Sequence, residues 1–319
     1  MRAPKLYSEF DVDLIGGAGV EQLVHWHAAL SKGLQALPDK PEETPESAMR
    51  ALWFRAAGSS VSVEAAAEQP LPALSAEQQT TLGDWVGKRL AGMPLAHITE
   101  RQRFMGLDML AGPQALIPRR ETELLGEAAA ELLQLASTES RQALVIDVCT
   151  GSGNLAFGIA ARVPAARVWA ADLSEDAVAL ARLNAAHLGL QGRVELRQGD
   201  LLVPFDEPAF LGCVDVLVCN PPYISSGKLA TMPGEIADFE PQLAFDGGPF
   251  GIRILQRLIR EAPRFVRPGG WLAFEVGLGQ GPAVMKRLTH EAGYAELRSI
   301  PDSQGHVRAV LARLQARQG

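Results

Sequence analysis

Cysteine is scarce in this chain, which has only Cys149, Cys213 and Cys219 among its 319 residues. The count is odd and no two cysteines have CxxC spacing, so the sequence is unlike a disulfide framework or a cysteine zinc site. We therefore expect no metal centre, and we expect free thiols in a reducing cytoplasm.

Long apolar runs are also missing. No stretch approaches the roughly 18 apolar residues of a membrane-spanning helix. The first residues read MRAPKLYSEFDVDL, and the acidic residues among them interrupt any apolar segment of an export signal. We expect neither an export signal nor a membrane anchor.

A basic excess is lacking as well, because 30 Lys and Arg stand against 37 Asp and Glu, a formal net charge of −7. Acidic residues outnumber basic ones by 14 to 10 in residues 1–118 and by 23 to 20 in the remainder. A protein that binds nucleic acid nonspecifically normally has a basic footprint. Stable nucleic-acid binding is therefore not expected.

The chain does have a globular composition, 47% apolar, and enough length for about two folded units. Residues 1–93 are predicted to form a helical domain. Apolar residues recur every three or four positions between Gly19 and Leu37, and further helices are expected near 45–57 and 75–91, where Ser75 and Gln78 resemble a capping box. The polar, proline-rich segment 38–45 is interpreted as a linker.

Residues 94–118 are predicted to form a β-hairpin connector, because short extended pieces alternate there with the turn residues Gly106, Gly112 and Pro113. In residues 119–319, β-rich runs such as ALVIDV, RVWAA and VDVLVC alternate with helical segments. A further strand, WLAFEV, is expected to follow a turn at 268–270. The alternation predicts an α/β fold with a doubly wound, mostly parallel sheet.

A glycine turn follows the first strand of this region in the segment DVCTGSGN, residues 147–154. Such a turn lets a ligand approach the backbone, and the following helix N-terminus favours negative charge. Asp172 comes after the second strand, where a carboxylate can accept hydrogen bonds from both hydroxyls of a ribose, and Asp200 ends the third strand. Together they indicate a nucleoside site that would suit either NAD or S-adenosylmethionine.

The motif Asn220-Pro221-Pro222-Tyr223 directly follows the apolar strand VDVLVC. Its prolines fix the backbone and keep the preceding carbonyls out of the strand ladder, while Asn220 offers an amide carbonyl and Tyr223 an aromatic face. A rigid polar pocket of this kind suits a substrate with a planar nitrogen group. Such a group can accept a methyl group, which favours S-adenosylmethionine over NAD as the cofactor.

In this order, the segments DVCTGSG, AADLS, QGDL and NPPY resemble the motifs of class I S-adenosylmethionine-dependent amino-methyltransferases. The resemblance implies their Rossmann-like, mostly parallel seven-stranded sheet, with a smaller N-terminal helical domain for substrate recognition. The segments RFMGLDMLAGPQALIPRRETELL and EIADFEPQLAFDGGPFG narrow the likeness to the HemK/PrmC family of protein N5-glutamine methyltransferases. The match covers roughly residues 45–315 and leaves residues 1–44 as an unmatched extension.

The resemblance assigns site residues. Asn220, the carbonyl of Pro221 and Tyr223 are implied in catalysis, and the target side chain is implied to lie against Phe104, Asn220, Pro222 and Tyr223. S-adenosylmethionine, with S-adenosylhomocysteine as its product, is implied to contact Thr122, Glu123, Asp147, Thr150, Gly151, Gly153, Asp172, Leu173, Asp200, Leu201 and Asn220. Cys149 stands where many methyltransferases have a glycine, and is interpreted as a small packing residue.

The leading hypothesis is methylation of a glutamine side-chain amide in the Gly-Gly-Gln loop of a peptide chain release factor. A second is methylation of a free amine, guanidine or amide metabolite, suggested by the unmatched extension. A third is a non-catalytic module that binds a nucleotide or NAD, against which the NPPY motif argues. Adenine methylation in DNA or RNA would suit the same motif, but the acidic balance disfavours it.

Overall fold

The computed structural model describes residues 16–35, 37, 39–136, 141–291 and 293–316. The expected absence of an export signal concerns residues 1–14, which lie outside these ranges. The chain divides into two compact units. The first comprises residues up to 103 with 108–113 and 234–239, and the second comprises 104–107, 114–233 and 240 onward. Within the described ranges, no helix combines the length and apolar character needed to cross a membrane.

In the described ranges, five helices precede the first strand, and helices and strands then alternate along much of the second unit. The helices are α1 (Gly16–Gly33), α2 (Pro45–Ala56), α3 (Val63–Ala67), α4 (Ala76–Leu90), α5 (Leu95–Thr99), α6 (Glu123–Ala136), α7 (Asn154–Arg162), α8 (Glu175–His187), α9 (Ser226–Leu229), α10 (Gly234–Ala237), α11 (Arg253–Glu261) and α12 (Gly281–Leu288). The strands are β1 (Arg101–Phe104), β2 (Leu107–Leu110), β3 (Leu144–Val148), β4 (Arg167–Asp172), β5 (Val194–Gln198), β6 (Val214–Cys219), β7 (Val266–Glu275), β8 (Tyr294–Pro301) and β9 (Val307–Leu314).

The first unit packs its helices around an apolar core that includes Leu52, Trp53 and Leu82, all fully buried. The capping box predicted from Ser75 and Gln78 is confirmed, since each side chain accepts a hydrogen bond from the other residue's main-chain N–H. These two bonds satisfy N–H groups that the first turn of α4 would otherwise leave without partners.

The segment expected to be a polar linker contains two buried charges. Lys40 and Glu43 are 4% and 7% exposed. Lys40 Nζ lies 2.7 Å from Glu235 Oε1, and Arg89 joins the two acids at 2.8 Å from Glu235 Oε2 and 3.0 Å from Glu43 Oε2. Before Pro45, the described residues of the segment form no helix or strand and connect α1 to α2, as a linker does. Partners distant in sequence let its buried charges leave water as ion pairs.

The predicted hairpin is confirmed by the two-stranded sheet of β1 and β2, which turns through Met105 and Gly106. The extended structure expected from residue 95 is wrong, because Leu95–Thr99 form the helix α5. Leu95 and Ile98 belong to the buried helical core, so tertiary packing decides the conformation of this short segment.

The second unit contains a seven-stranded sheet in the order β5-β4-β3-β6-β7-β9-β8. The pairs β5·β4, β4·β3, β3·β6 and β6·β7 are parallel, and β9 runs antiparallel to β7 and β8. The predicted α/β fold with a mostly parallel sheet is thereby confirmed. The chain reverses direction of winding between β3 and β6, where ligands bind at the carboxyl ends of the strands in such folds.

All six residues of β6 are buried, including the acid Asp215. Arg141 and Arg267 bind its carboxylate at 2.8 and 2.6 Å, so the buried charge is compensated. The turn expected before WLAFEV lies instead inside β7, where the pairing shifts register between Val214 and Val216 of β6. The turn residues 268–270 are accommodated as an irregularity of the strand.

Candidate active site

The glycine turn between β3 and α7 contains three residues with left-handed backbone: Cys149 (φ +58°), Gly151 (φ +56°) and Gly153 (φ +87°). A side chain at Gly153 would also collide with the ring of Phe157. Glycine at 153 is therefore required on two grounds, conformation and space. The result is a strand-to-helix turn whose backbone is open to a ligand.

Asp172 ends β4 and is held by main-chain donors on both carboxylate oxygens. Gly151 N–H donates to its Oδ2 at 2.8 Å, and Ser174 N–H donates to its Oδ1 at 2.9 Å. Burial raises the pKa of this carboxyl, and the backbone hydrogen bonds oppose that shift. Each oxygen keeps lone-pair capacity for a ligand hydroxyl.

Asp147 is the fourth residue of β3, just before the turn, and is fully buried. The Thr150 hydroxyl donates to its Oδ2 at 2.6 Å. Burial raises the pKa of Asp147 to about 7, although the Thr150 hydroxyl and the Ala156 main-chain N–H act to lower it. Asp147 therefore supports the turn through Thr150.

Asp200, beyond β5, is engaged by a residue that the sequence analysis did not single out. Arg257 of α11 places Nη1 at 3.1 and 3.0 Å from the two carboxylate oxygens. The two side chains line the same cavity. No local signal distinguishes Arg257 from the other basic residues of this helix, so only the fold reveals the pair.

The NPPY motif continues directly from β6 and is connected to a buried acid by three hydrogen bonds. Asn220 Nδ2 donates to Thr122 Oγ1 at 3.2 Å, and Thr122 Oγ1 donates to Glu275 Oε2 at 2.6 Å. The Tyr223 hydroxyl donates to Glu275 Oε1 at 3.0 Å. Glu275 ends β7, is 1% exposed, and was not predicted as a site residue.

Two further loops hold the backbone after the motif. Gln280 Nε2 donates to the Tyr223 carbonyl at 3.0 Å. Gly247 and Gly251 lie so close to the carbonyls of Pro222 and Tyr223 that a Cβ at either position would meet main-chain atoms. The glycines of DGGPFG thus let this loop pack against the motif, which accounts for their place in the sequence.

The glycine turn and the NPPY motif line one cavity of about 500 Å³ within the second unit. The predicted site residues on its wall are Thr122, Thr150, Gly151, Asp172, Leu173, Asp200, Leu201, Asn220 and Pro222. The other predicted site residues, which are not on its wall, are Phe104, Glu123, Asp147, Gly153, Pro221 and Tyr223.

Two of these off-wall residues lie at the hairpin turn or bind it, within the second unit. Phe104 is fully buried, and Glu123 Oε1 accepts the main-chain N–H of Met105 at 2.6 Å. Tyr223 directs its hydroxyl to Glu275 and packs its ring beside Gly277.

The chemistry of the wall suits a ligand that carries an adenosine group. Gly151 in the turn allows close approach of a ligand to the backbone. Asp172 retains acceptors for a ribose, and the exposed Leu173 offers an apolar surface for a base. Within the described parts of the chain, no three His, Cys, Asp or Glu residues are grouped closely enough to hold a metal ion.

The chain is similar to known proteins in both sequence and structure. The family model described as "Methyltransferase small domain" matches residues 125–235. A release factor glutamine methyltransferase of Moorella thermoacetica is 40% identical over 71% of this chain and 77% of its own. Proteins of the same name from Gloeobacter violaceus (35% identical, 77% and 83% covered) and Caulobacter vibrioides (37%, 76% and 81%) are also similar.

Among solved structures, the hMettl16 catalytic domain in complex with MAT2A 3′UTR hairpin 1 superposes with a TM-score of 0.52 at 15% identity. The match covers 72% of this chain and 80% of that one. At this level of identity the likeness concerns the fold alone, and it agrees with the seven-stranded sheet.

Proposed function

The chain belongs to the family of release factor glutamine methyltransferases, and from this premise we propose that it methylates the side-chain amide nitrogen of a glutamine in a peptide chain release factor. The glutamine is that of the Gly-Gly-Gln loop, and S-adenosylmethionine is the methyl donor. One observation carries the proposal: Asp172 and Asn220, the proposed ribose and amide ligands, line the same cavity.

In this proposal Asp172 holds the ribose hydroxyls, the turn around Gly151 borders the methionine part, and Asp200 and Leu201 lie at the adenine. Bound S-adenosylmethionine supplies a methyl group that its sulfonium charge has already activated. The protein therefore has to place the acceptor nitrogen in line with that methyl group and to exclude water.

An amide nitrogen is a poor nucleophile because its lone pair is delocalised into the carbonyl. Asn220 Oδ1 and the Pro221 carbonyl accept the two N–H groups, which orients the nitrogen and withdraws its protons as the N–C bond forms. One of these protons is released to solvent, so the products are the methylated amide, S-adenosylhomocysteine and a proton.

We assign residues 1–93 to recognition of the protein substrate, residues 94–118 to the connector and residues 119–319 to methyl transfer. We also place the enzyme in the cytoplasm, since its three cysteines are free thiols, as is usual in a reducing compartment.

The test is methyl transfer from labelled S-adenosylmethionine to purified, unmodified release factor, with the methylated residue identified by mass spectrometry. Asn220→Ala is expected to lower kcat by about a hundredfold, as for loss of one transition-state hydrogen bond. Thr231→Ala, an exposed polar change in the segment after the motif, is the control. Wild-type enzyme that binds the cofactor but labels only small amines would overturn the release-factor substrate.

A further inference from the structure

Asn220 can help the reaction only if the oxygen end of its amide points toward the target nitrogen. The side chain has a donor end, Nδ2, and an acceptor end, Oδ1, on opposite sides of the amide carbon. The target nitrogen carries N–H groups, so it needs Oδ1. The protein must therefore contain something that keeps Nδ2 away from the target.

Thr122 fixes the orientation of the Asn220 amide because its hydroxyl has only one hydrogen to donate. A hydroxyl has one hydrogen to donate, and the Thr122 hydroxyl gives it to Glu275 Oε2 at 2.6 Å. Toward Asn220 it can then only accept, which it does from Nδ2 at 3.2 Å. Asn220 Oδ1 is left on the side of its amide that faces away from Thr122, in a cavity that both residues line.

We propose that Glu275 is a positioning residue which, acting through Thr122, fixes the direction of the Asn220 amide so that its oxygen receives the target N–H. This inference rests on the proposed function, in which the target is an amide nitrogen. Glu275 does not line the cavity and is connected to Asn220 through Thr122. Thr122 donates to the buried carboxylate of Glu275 and accepts from Asn220, so the acceptor character of Glu275 determines how the Asn220 amide is oriented.

The hydrogen bond from Tyr223 is the reason why position 275 needs a carboxylate and not an amide. Its hydroxyl donates to Glu275 Oε1 at 3.0 Å while Thr122 donates to Oε2, so Glu275 must accept on both oxygens. A glutamine at position 275 has one acceptor and one donor end. If it accepted from Tyr223, it would donate to Thr122, and the Thr122 hydroxyl would turn toward Asn220 and reverse its amide.

The protonation state of Glu275 also determines the direction of the hydrogen bonds that run through Thr122 to Asn220. Burial raises its pKa to about 7, with the Thr122 and Tyr223 hydroxyls and the Arg308 charge acting to lower it and the Glu121 charge acting to raise it. Arg308 of β9 lies 3.9 Å from Glu275 Oε1 and 3.1 Å from Glu121 Oε1. A protonated Glu275 can donate to Thr122, so kcat is expected to fall as the pH drops through the pKa of Glu275.

The first test is a set of three variants assayed for kcat, KM and pH dependence. Glu275→Gln is expected to lower kcat by about thirtyfold with KM and cofactor affinity nearly unchanged, and to remove the acidic limb of the pH profile. Tyr223→Phe alone is expected to cost about threefold. In the double variant, the introduced glutamine need not accept from position 223 and can turn its oxygen to Thr122, so activity rises above that of Glu275→Gln.

Because Asp147 also has a pKa raised to about 7, the pH profiles are compared in the Asp147→Asn background. A double variant with no recovery of activity, or an acidic limb that Glu275→Gln leaves unchanged in that background, would overturn the proposal. Glu121→Gln is the matched control, because it removes a neighbouring carboxylate without altering the acceptors of Thr122. Its acidic limb should remain.

The second test needs no turnover, so it separates failure of this inference from failure of the proposed function. The side-chain NH₂ signals of Asn220 are assigned in the NMR spectrum by their loss in Asn220→Ala. Thr122→Val removes the acceptor and is expected to shift these signals, whereas Thr122→Ser keeps the hydroxyl and should leave them in place. Identical Asn220 signals in wild type and Thr122→Val would show that Thr122 does not hold the amide.

Discussion

At the residue scale, Asp172 performs two tasks with one carboxylate. It binds the main-chain N–H groups of Gly151 and Ser174, which ties the glycine turn to the end of β4, and it lines the cavity. Its orientation is therefore set by the protein before any ligand arrives. Such preorganisation reduces the ordering that ligand binding would otherwise require.

Asp172→Asn should weaken S-adenosylmethionine binding. The NH₂ group of the introduced asparagine would face the main-chain N–H of Gly151 or Ser174, and two donors cannot form a hydrogen bond. The loss of a charged hydrogen bond is worth about 2 kcal/mol, or roughly thirtyfold in affinity. Isothermal titration calorimetry measures the effect. Asp176→Asn, an exposed acid on α8, is the control, and equal affinities for the two variants would contradict the role given to Asp172.

At the element scale, the turn from β3 to α7 concentrates left-handed backbone in a short segment. Gly151 and Gly153 adopt it without penalty, whereas Cys149 at φ +58° bears a cost of about 1 kcal/mol. A glycine at position 149 would not bear this cost, and the turn keeps its left-handed geometry here despite the cysteine side chain.

Gly153→Ala should be more harmful than an ordinary glycine change. Gly189→Ala is the matched control, because Gly189 also has a positive φ, +69°, but open space where a Cβ would lie. The control should lose about 1 kcal/mol of unfolding free energy. Gly153→Ala should lose about 2 kcal/mol more, because its Cβ overlaps the ring of Phe157. Urea unfolding compares the two, and equal losses would rule out the steric contribution.

At the scale of the whole molecule, the sheet unit buries two carboxyl groups whose pKa values are raised to about 7, Asp147 and Glu275. In the unfolded chain such groups lose their protons near pH 4. The folded state therefore binds more protons than the unfolded state between about pH 4 and 7. In this window each group makes the protein less stable as the pH rises, and the loss is complete above pH 7.

Asp147→Asn removes one of these titrations. Between pH 5.5 and 8.0, wild-type protein should lose about 2 kcal/mol of unfolding free energy relative to this variant, since each unit of pKa shift corresponds to about 1.4 kcal/mol. Urea unfolding at the two pH values gives the difference. Asp176→Asn should follow the wild type, and a pH dependence of Asp147→Asn that matches the wild type would contradict the raised pKa.

Much of the second unit could be predicted because its signals are local. The alternation of β-rich and helical runs indicated the parallel sheet, and glycines followed by a helix indicated the turn after β3. The NPPY motif was identifiable because Asn220 and two prolines directly follow a buried strand. In each case the deciding residues are neighbours in sequence, so short-range sterics and periodicity carry the information.

Only the tertiary structure decided which distant polar groups pair. Glu275 is 153 residues from Thr122 and ends an apolar strand with no motif around it. Arg257 resembles its basic neighbours in the sequence, and only the fold pairs it with Asp200. Lys40 likewise pairs with Glu235, which lies 195 residues away in the sequence. The sequence alone determined the sheet and the two halves of the cavity. The hydrogen bonds from Asn220 through Thr122 to Glu275 depend on the fold, because a charge that loses its water must be paired with whatever polar groups the fold places beside it.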